Sequence, residues 1–365
     1  MESVFPIIPI RGKPFERGFQ YGSLAQEAIR HSIEAYQRIF QHYAGLSWNR
    51  VLAIAKGYIP VIESFCPAIF EEFQGISSGA GLRLEEILAL NARNEIMLAE
   101  NSPHECTTLA ASSQATLSKD VLMGQNWDWM PMLKDCCIIL SVRQEKGPNF
   151  VTFVEAGGIA KLGFNSSGIG LCANTMLSHK DKRDFKIPYH VICRKILVSE
   201  NISDAIECIS MMERASSANY LIGHEGGEIV DIEVAPGGAE FTRMKYPQNG
   251  VLGHANHFTT DMGVKDLLKI RYPDSLKRDS RVNELLKIDA GKIDEKVLGR
   301  ILRDHENFPT SICRHANSDR IEDEQLESVG SIIMNLCKKK MLIAQGPPCQ
   351  TEYSQLSLHD LLGDQ

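Results

Sequence analysis

Cys106 is the residue whose type and position first suggest chemistry. It sits in Ser102-Pro103-His104-Glu105-Cys106-Thr107-Thr108, where helical texture gives way to strand-like texture. A thiolate is a nucleophile, but an ordinary cysteine titrates near about 8.5 and needs a base. Downstream, Gly124-Gln125-Asn126-Trp127-Asp128-Trp129 carries amides and a carboxylate between indoles, and His254-Ala255-Asn256-His257 adds imidazoles and an amide. Each has a plainer reading. Cys106 is a buried strand cysteine, Asp128 a turn aspartate between two tryptophans, and Asn256 a turn asparagine after a strand. His254 and His257 lack His-Glu-x-x-His spacing and a helical context, so they do not indicate a metal site.

The other nine cysteines are scattered and none forms a Cys-x-x-Cys pair, so no zinc ribbon or thioredoxin-type site is expected. They read as small, reduced core residues. The chain has 365 residues, 43% hydrophobic and 23% charged, enough for a sizeable core. Its net charge of -7 and its densest basic run, Lys338-Lys339-Lys340, argue against nucleic-acid binding. No segment approaches the roughly 18 apolar residues of a membrane span. The start, Met1-Glu2-Ser3-Val4-Phe5-Pro6, lacks a basic segment before a long apolar stretch, so a cytoplasmic location is expected.

The elements that must position these residues change character near residue 105. Before it, Ile29, Ile33, Tyr36, Phe40 and Tyr43, and then Val51, Ala55, Tyr58, Ile62 and Phe65, recur at helical spacing. A third helix is predicted over about 84–98. After it, short runs rich in Val, Ile, Thr and Phe alternate with turns. Strands are predicted over 106–111, 121–125, 138–142, 150–154 and 168–173, then 219–223, 228–234 and 251–254. Helices are predicted over 189–198, 203–212, 279–286 and 295–304, and a last hairpin over 331–345. Strand runs separated by helix pairs suggest an α+β fold with helices outside two sheets. Nothing marks a linker near residue 105, so both parts should share one core.

Glu105-Cys106-Thr107-Thr108 followed by Gly124-Gln125-Asn126-Trp127-Asp128 resembles the isopenicillin-N acyltransferase family, a group of N-terminal-nucleophile hydrolases that includes acyl-CoA:6-aminopenicillanic acid acyltransferase. The likeness also takes in Gly12-Lys13-Pro14-Phe15-Glu16-Arg17-Gly18, Leu90-Asn91-Ala92-Arg93 and Gly163-Phe164-Asn165-Ser166. It continues through His254-Ala255-Asn256-His257, Pro273-Asp274-Ser275 and Ser311-Ile312-Cys313-Arg314, in the family's order over nearly the whole chain. The resemblance implies a four-layer αββα sandwich and a precursor that cuts itself between Glu105 and Cys106. The two pieces, a helical segment 1–105 and a nucleophile-bearing segment 106–365, would stay associated. The family's penicillin enzyme has glycine before the nucleophile, whereas this chain has Glu105.

A cut there has a chemical purpose. A peptide N–H cannot accept a proton, but a freed α-amino group, with a reference pKa of about 7.7–8.0, can. Cys106 would then carry both nucleophile and base. By resemblance, the Asn256 amide would donate to the oxyanion, Asn174 would complete that hole, and Asp128 would hold the new amine or orient the thiol. Trp127 is read as packing or as part of an acyl pocket. Arg278, Arg281 and Arg314 are candidates for binding a carboxylate or shaping the site. Glu233 reads as a paired strand carboxylate.

The leading expectation is hydrolysis of a small acylated amine through a thioester, without a cofactor. The alternative is acyl transfer to an amine, with a CoA thioester open as co-substrate. Two other readings are a catalytically inactive binding relative and a Cys-His hydrolase using His104 or His257 as base.

Overall fold

The computed structural model describes residues 5–97 and 105–362, so His104 lies outside the described residues. Among them, fourteen strands form two sheets. In chain order they are β1 (Ile7–Gly12), β2 (Glu105–Ala111), β3 (Leu122–Trp129), β4 (Cys137–Gln144), β5 (Phe150–Glu155), β6 (Leu162–Asn165) and β7 (Ile169–Thr175). These are followed by β8 (Ala218–His224), β9 (Ile229–Val234), β10 (Thr242–Lys245), β11 (Val251–His254), β12 (Glu327–Asn335), β13 (Lys340–Gln345) and β14 (Ser354–Ser357). The first sheet has the order β1-β4-β5-β6-β7-β8-β9-β10 and the second β11-β2-β3-β12-β13-β14. β1 lies parallel to β4, and the other paired strands are antiparallel.

The sheets pack face to face. Gln125 on β3 spans the gap: its Nε2 donates to the Ala173 carbonyl and its Oε1 accepts from the Ala173 N–H, each at 2.9 Å. Helices Tyr189–Leu197 and Ile202–Ser210 cover the outer face of the first sheet. Helices Asp274–Ile288 and Glu295–Leu302 cover the second, where Val282, Leu286 and Leu298 meet Leu109, Leu122 and Val251. The result is the four-layer αββα arrangement. Both faces of β2 and β3 are covered, so every residue of these two strands is buried and polar alternation is lost.

The first part of the chain is not purely helical. β1 joins the first sheet, and residues from both parts form one core. Helices Pro14–Leu24 and Pro67–Ala80 cross at very close range. A Cβ at Gly18 would lie 2.1 Å from the Glu72 carbonyl oxygen, and one at Gly75 would lie 2.2 Å from that of Phe15. Only glycine permits that approach. Glu72 is buried there, bidentate with Arg194 at 2.9 and 3.0 Å and bonded to Arg17 at 2.8 Å, which ties the first part to helix Tyr189–Leu197.

The helix predicted through Val51 to Phe65 is interrupted. It splits into Trp48–Ala55, a tight turn Lys56–Tyr58 and Ile59–Phe65. Pro60 lacks an N–H and crowds the preceding turn, which accounts for the break. β3 extends four residues beyond the predicted 121–125, so Trp127 and Asp128 are strand residues rather than turn residues.

Candidate active site

β2 and β3 set the geometry. Their register places Glu105 opposite Asp128 and Cys106 opposite Trp127. Alternation then sends the paired Cys106 and Trp127 side chains between the sheets. Glu105, Thr107 and Asp128 point to the other face, toward helix Asp274–Ile288.

The backbone of Cys106 is held at both ends. Its N–H donates to Asn256 Oδ1 at 2.9 Å. Its carbonyl accepts from Arg278 Nη1 at 2.7 Å and Asn174 Nδ2 at 3.3 Å. Asn256 Oδ1 also accepts from Arg278 Nη2 at 3.0 Å, while Asn256 Nδ2 donates to the Thr175 carbonyl at 3.0 Å. Two donors on the oxygen fix which way the amide points. The turn carrying Asn256 is itself anchored, since its N–H donates to Ser275 Oγ at 2.9 Å.

A buried charge cluster lies on the Glu105 side. Arg278 Nη2 donates to Glu105 Oε2 at 3.0 Å, and Arg314 Nη2 donates to the same oxygen. Both guanidinium groups also bond Asp274. Burial pushes the Glu105 carboxyl up, against Arg314 and Arg278. Burial also acts on Asp274, but Arg278 and Arg314 overcome it and hold that group low. Asp128 Oδ1 accepts from Ser328 Oγ at 2.6 Å, and its Oδ2 lies 3.8 Å from Arg314 Nε. Burial, partly offset by the two arginines, raises Asp128 to about 6.

The thiol faces a different environment. Burial pushes Cys106 up to about 11, and the Lys161 ammonium pulls in the opposite direction. Gln125 and the Asp128 N–H also favour the thiolate, while the Asp128 charge disfavours it. Lys161 Nζ sits 3.7 Å from the centroid of the Trp127 ring, a cation–π contact. The cavity bounded by Cys106, Trp127, Asp128, Lys161 and Thr175 measures about 10 Å³, room for roughly one water.

Behind the Asn256 turn, His254 Nε2 pairs with Glu233 Oε1 at 2.9 Å, both fully buried. Burial lowers His254, but Asp231 and Glu233 reverse this and raise it to about 9. Glu233 is therefore a paired strand carboxylate. His257 contacts Ser275 Oγ at 2.8 Å, and burial with the neighbouring His254 charge lowers it to about 3. That makes it a poor proton acceptor.

Of the residues singled out in the sequence, the structure gathers Glu105, Cys106, Trp127, Asp128, Asn174, Asn256, Arg278 and Arg314. Two amides are engaged differently from expectation in the uncut chain. Asn256 accepts from the Cys106 N–H and spends its own donor on Thr175, and Asn174 grips the Cys106 carbonyl. Arg281 does not join the site. It lies on the outer side of helix Asp274–Ile288, paired with Asp304 at 2.9 Å, Glu306 at 3.1 Å and Glu284 at 3.2 Å. Its charge is satisfied there by acidic partners, away from the residues around Cys106. Lys161 and Gln125 were not anticipated. Gln125 lay within the resembling stretch, whereas Lys161 follows a Gly-Gly turn and carried no signal.

The chain is similar to several known proteins. Over 309 residues the chain is 28% identical to the acyl-coenzyme A:6-aminopenicillanic-acid-acyltransferase 40 kDa form of Emericella nidulans, covering 84% of each chain. It is 24% identical to protein dcd1A of Dictyostelium discoideum over 259 residues, 61% of this chain and 56% of that one. Among solved structures, the Caenorhabditis elegans N-acylethanolamine-hydrolyzing acid amidase ortholog matches with a TM-score of 0.48 and 14% identity. That match covers 64% of this chain and 93% of that chain. Residues 116–339, more than half of the sequence, match acyl-coenzyme A:6-aminopenicillanic acid acyl-transferase. With β2 and β3 presenting Cys106 as described and a family match of this extent, the chain belongs to the acyl-coenzyme A:6-aminopenicillanic acid acyl-transferase family of enzymes.

Proposed function

We propose that this chain cuts itself between Glu105 and Cys106 and then hydrolyses the amide of a small acylated amine through a thioester on Cys106. The observation that carries this reading is the 2.9 Å bond from the Cys106 N–H to Asn256 Oδ1, beside a buried thiol. The nitrogen that must become the base is already oriented by a side chain that remains after the cut.

In the first reaction Cys106 Sγ attacks the Glu105 carbonyl carbon. The C–N bond breaks, the nitrogen takes the thiol proton, and the Glu105 acyl group moves to sulfur. Water then hydrolyses that thioester, leaving a Glu105 carboxylate and a free Cys106 amine. In the second reaction the amine accepts the thiol proton as sulfur attacks the substrate carbonyl, then passes the proton to the departing amine. Water resolves the new thioester to a carboxylic acid. A thiol held near about 11 is mostly protonated at neutral pH, so turnover depends on the amine the cut releases.

The two fragments stay together because β1 is a strand of the first sheet and the core draws on both parts. The ten cysteines are unpaired, which supports a reducing, cytoplasmic setting. No helix among the described residues is long and apolar enough to cross a membrane. The scheme requires no cofactor.

A second reading, acyl transfer, is favoured by the identity to the Emericella nidulans acyltransferase. It uses the same thioester, with an amine replacing water and a CoA thioester as an alternative donor. Incubation with a chromogenic acyl amide, with and without an added amine, tests both. Hydrolysis predicts free acid in each case and a transient gain of the acyl mass on the fragment beginning at Cys106. Diversion of product in proportion to added amine would assign the chain to transfer. Turnover without acyl mass on that fragment would remove the thioester.

A further inference from the structure

We propose that His305, Cys313, His315 and Cys349 form a structural zinc site. Their ligand atoms all lie within 4.8 Å of one another. His315 Nε2 is 3.1 Å from His305 Nε2, 3.3 Å from Cys349 Sγ and 3.6 Å from Cys313 Sγ. One ring nitrogen has a single lone pair or a single N–H, so it cannot satisfy three partners by hydrogen bonding. A shared cation resolves the convergence. With Zn–N near about 2.0–2.1 Å and Zn–S near about 2.3 Å, tetrahedral ligand atoms are spaced roughly 3.3–3.8 Å apart. The three distances fall close to that range, and two thiolates with two imidazoles are a zinc donor set.

The spacing explains why the sequence concealed the site. His305, Cys313 and His315 lie between helix Glu295–Leu302 and β12, while Cys349 lies in the turn between β13 and β14. No pair has Cys-x-x-Cys or His-x-x-x-His spacing. The expectation of no metal rested on those signatures.

The site has a clear structural task. Cys313 and His315 flank Arg314, whose guanidinium bonds Glu105 and Asp274. The Arg314 N–H donates to Ser328 Oγ at 3.1 Å, and that hydroxyl donates to Asp128. Four protein ligands close the coordination sphere, so the metal would cross-link two loops and position Arg314 without touching the substrate.

The test uses the full-length chain, purified without chelator and assayed for metal by mass spectrometry. Cys349→Ser and His305→Ala alter exposed ligands, and their folding is checked by circular dichroism. The expected result is one zinc per wild-type chain, with content falling roughly tenfold or more in each variant. Replacement by Co(II) should give the absorption of tetrahedral thiolate-bound cobalt, lost in Cys349→Ser. Wild-type chain that takes up no zinc overturns the proposal, as does a Cys313–Cys349 disulfide in freshly purified protein. Metal content unchanged in both variants also overturns it.

Discussion

One guanidinium group grips both sides of the Glu105–Cys106 peptide bond: Arg278 Nη2 holds the Glu105 carboxylate at 3.0 Å while Arg278 Nη1 holds the Cys106 carbonyl at 2.7 Å. The bond of the proposed cut is thus immobilised by one planar, two-pronged side chain. Arg314 shares Glu105 Oε2, so the acidic residue before Cys106 is a fixed part of the candidate site.

Arg278 and Arg281 should therefore separate cleanly. Arg278→Lys keeps the charge but loses the fork that bonds two oxygens together. Self-cleavage should slow roughly 10²-fold, as expected when reacting groups lose their alignment. Arg281→Ala removes only surface ion pairs and should change stability by less than about 1 kcal/mol. Gel-based timing of chain cutting and thermal unfolding check both. Slowed cutting in Arg281→Ala with Arg278→Lys unaffected would reverse the assignment.

Asn256→Ala removes the acceptor of the Cys106 N–H and the donor to Thr175. A lost alignment of the nucleophile's nitrogen should lower kcat by about 10²-fold. Stability should fall by about 1–3 kcal/mol, because buried partners are left unsatisfied. Steady-state kinetics on processed protein and denaturant unfolding measure the two effects separately.

The His254–Glu233 pair gives a pH dependence of stability. His254 titrates at about 9 in the folded chain, above the unfolded value of about 6.5. The folded state therefore holds an extra proton between these values. The stabilisation is complete below about pH 6.5 and is lost as pH rises through about 9, on the order of 3 kcal/mol. His254→Gln should flatten unfolding free energy across that window. An unchanged slope in the variant would assign the dependence to other groups.

Lys161 is the cation acting on the Cys106 thiol. Lys161→Met keeps apolar volume against Trp127 but removes the charge. Acylation of Cys106 by the chromogenic amide in the processed protein at neutral pH should slow about tenfold, tracking the smaller thiolate fraction. Peptide mapping of the acylated cysteine distinguishes Cys106 from the other nine.

The sequence exposed the fold where elements are amphipathic or β-rich. The strand over Val251–His254 and the hairpin of β12 and β13 emerge nearly as predicted. β1 was hidden because Ile7-Ile8-Pro9-Ile10 is short and contains proline. The second half of β3 reads as polar because its buried amides bond distant backbone. Asn126, for example, donates to the Leu302 and Ile312 carbonyls at 2.8 Å each. Arg278 left a trace, sharing a helical face with the buried Ser275, Val282 and Leu286. Arg281 sits one residue off that stripe, a distinction too fine without knowing the helix's partner. Lys161 and the four-ligand cluster depend on loops converging from far apart in the chain.

The central claim is that Cys106 becomes competent only when its own nitrogen is freed. Intact mass spectrometry of the catalytically active fraction tests this most directly. The account predicts two fragments meeting at residues 105 and 106, with turnover proportional to the cut population, and Cys106→Ala remaining whole and inactive. Full turnover by a chain whose Glu105–Cys106 peptide bond is intact would contradict it.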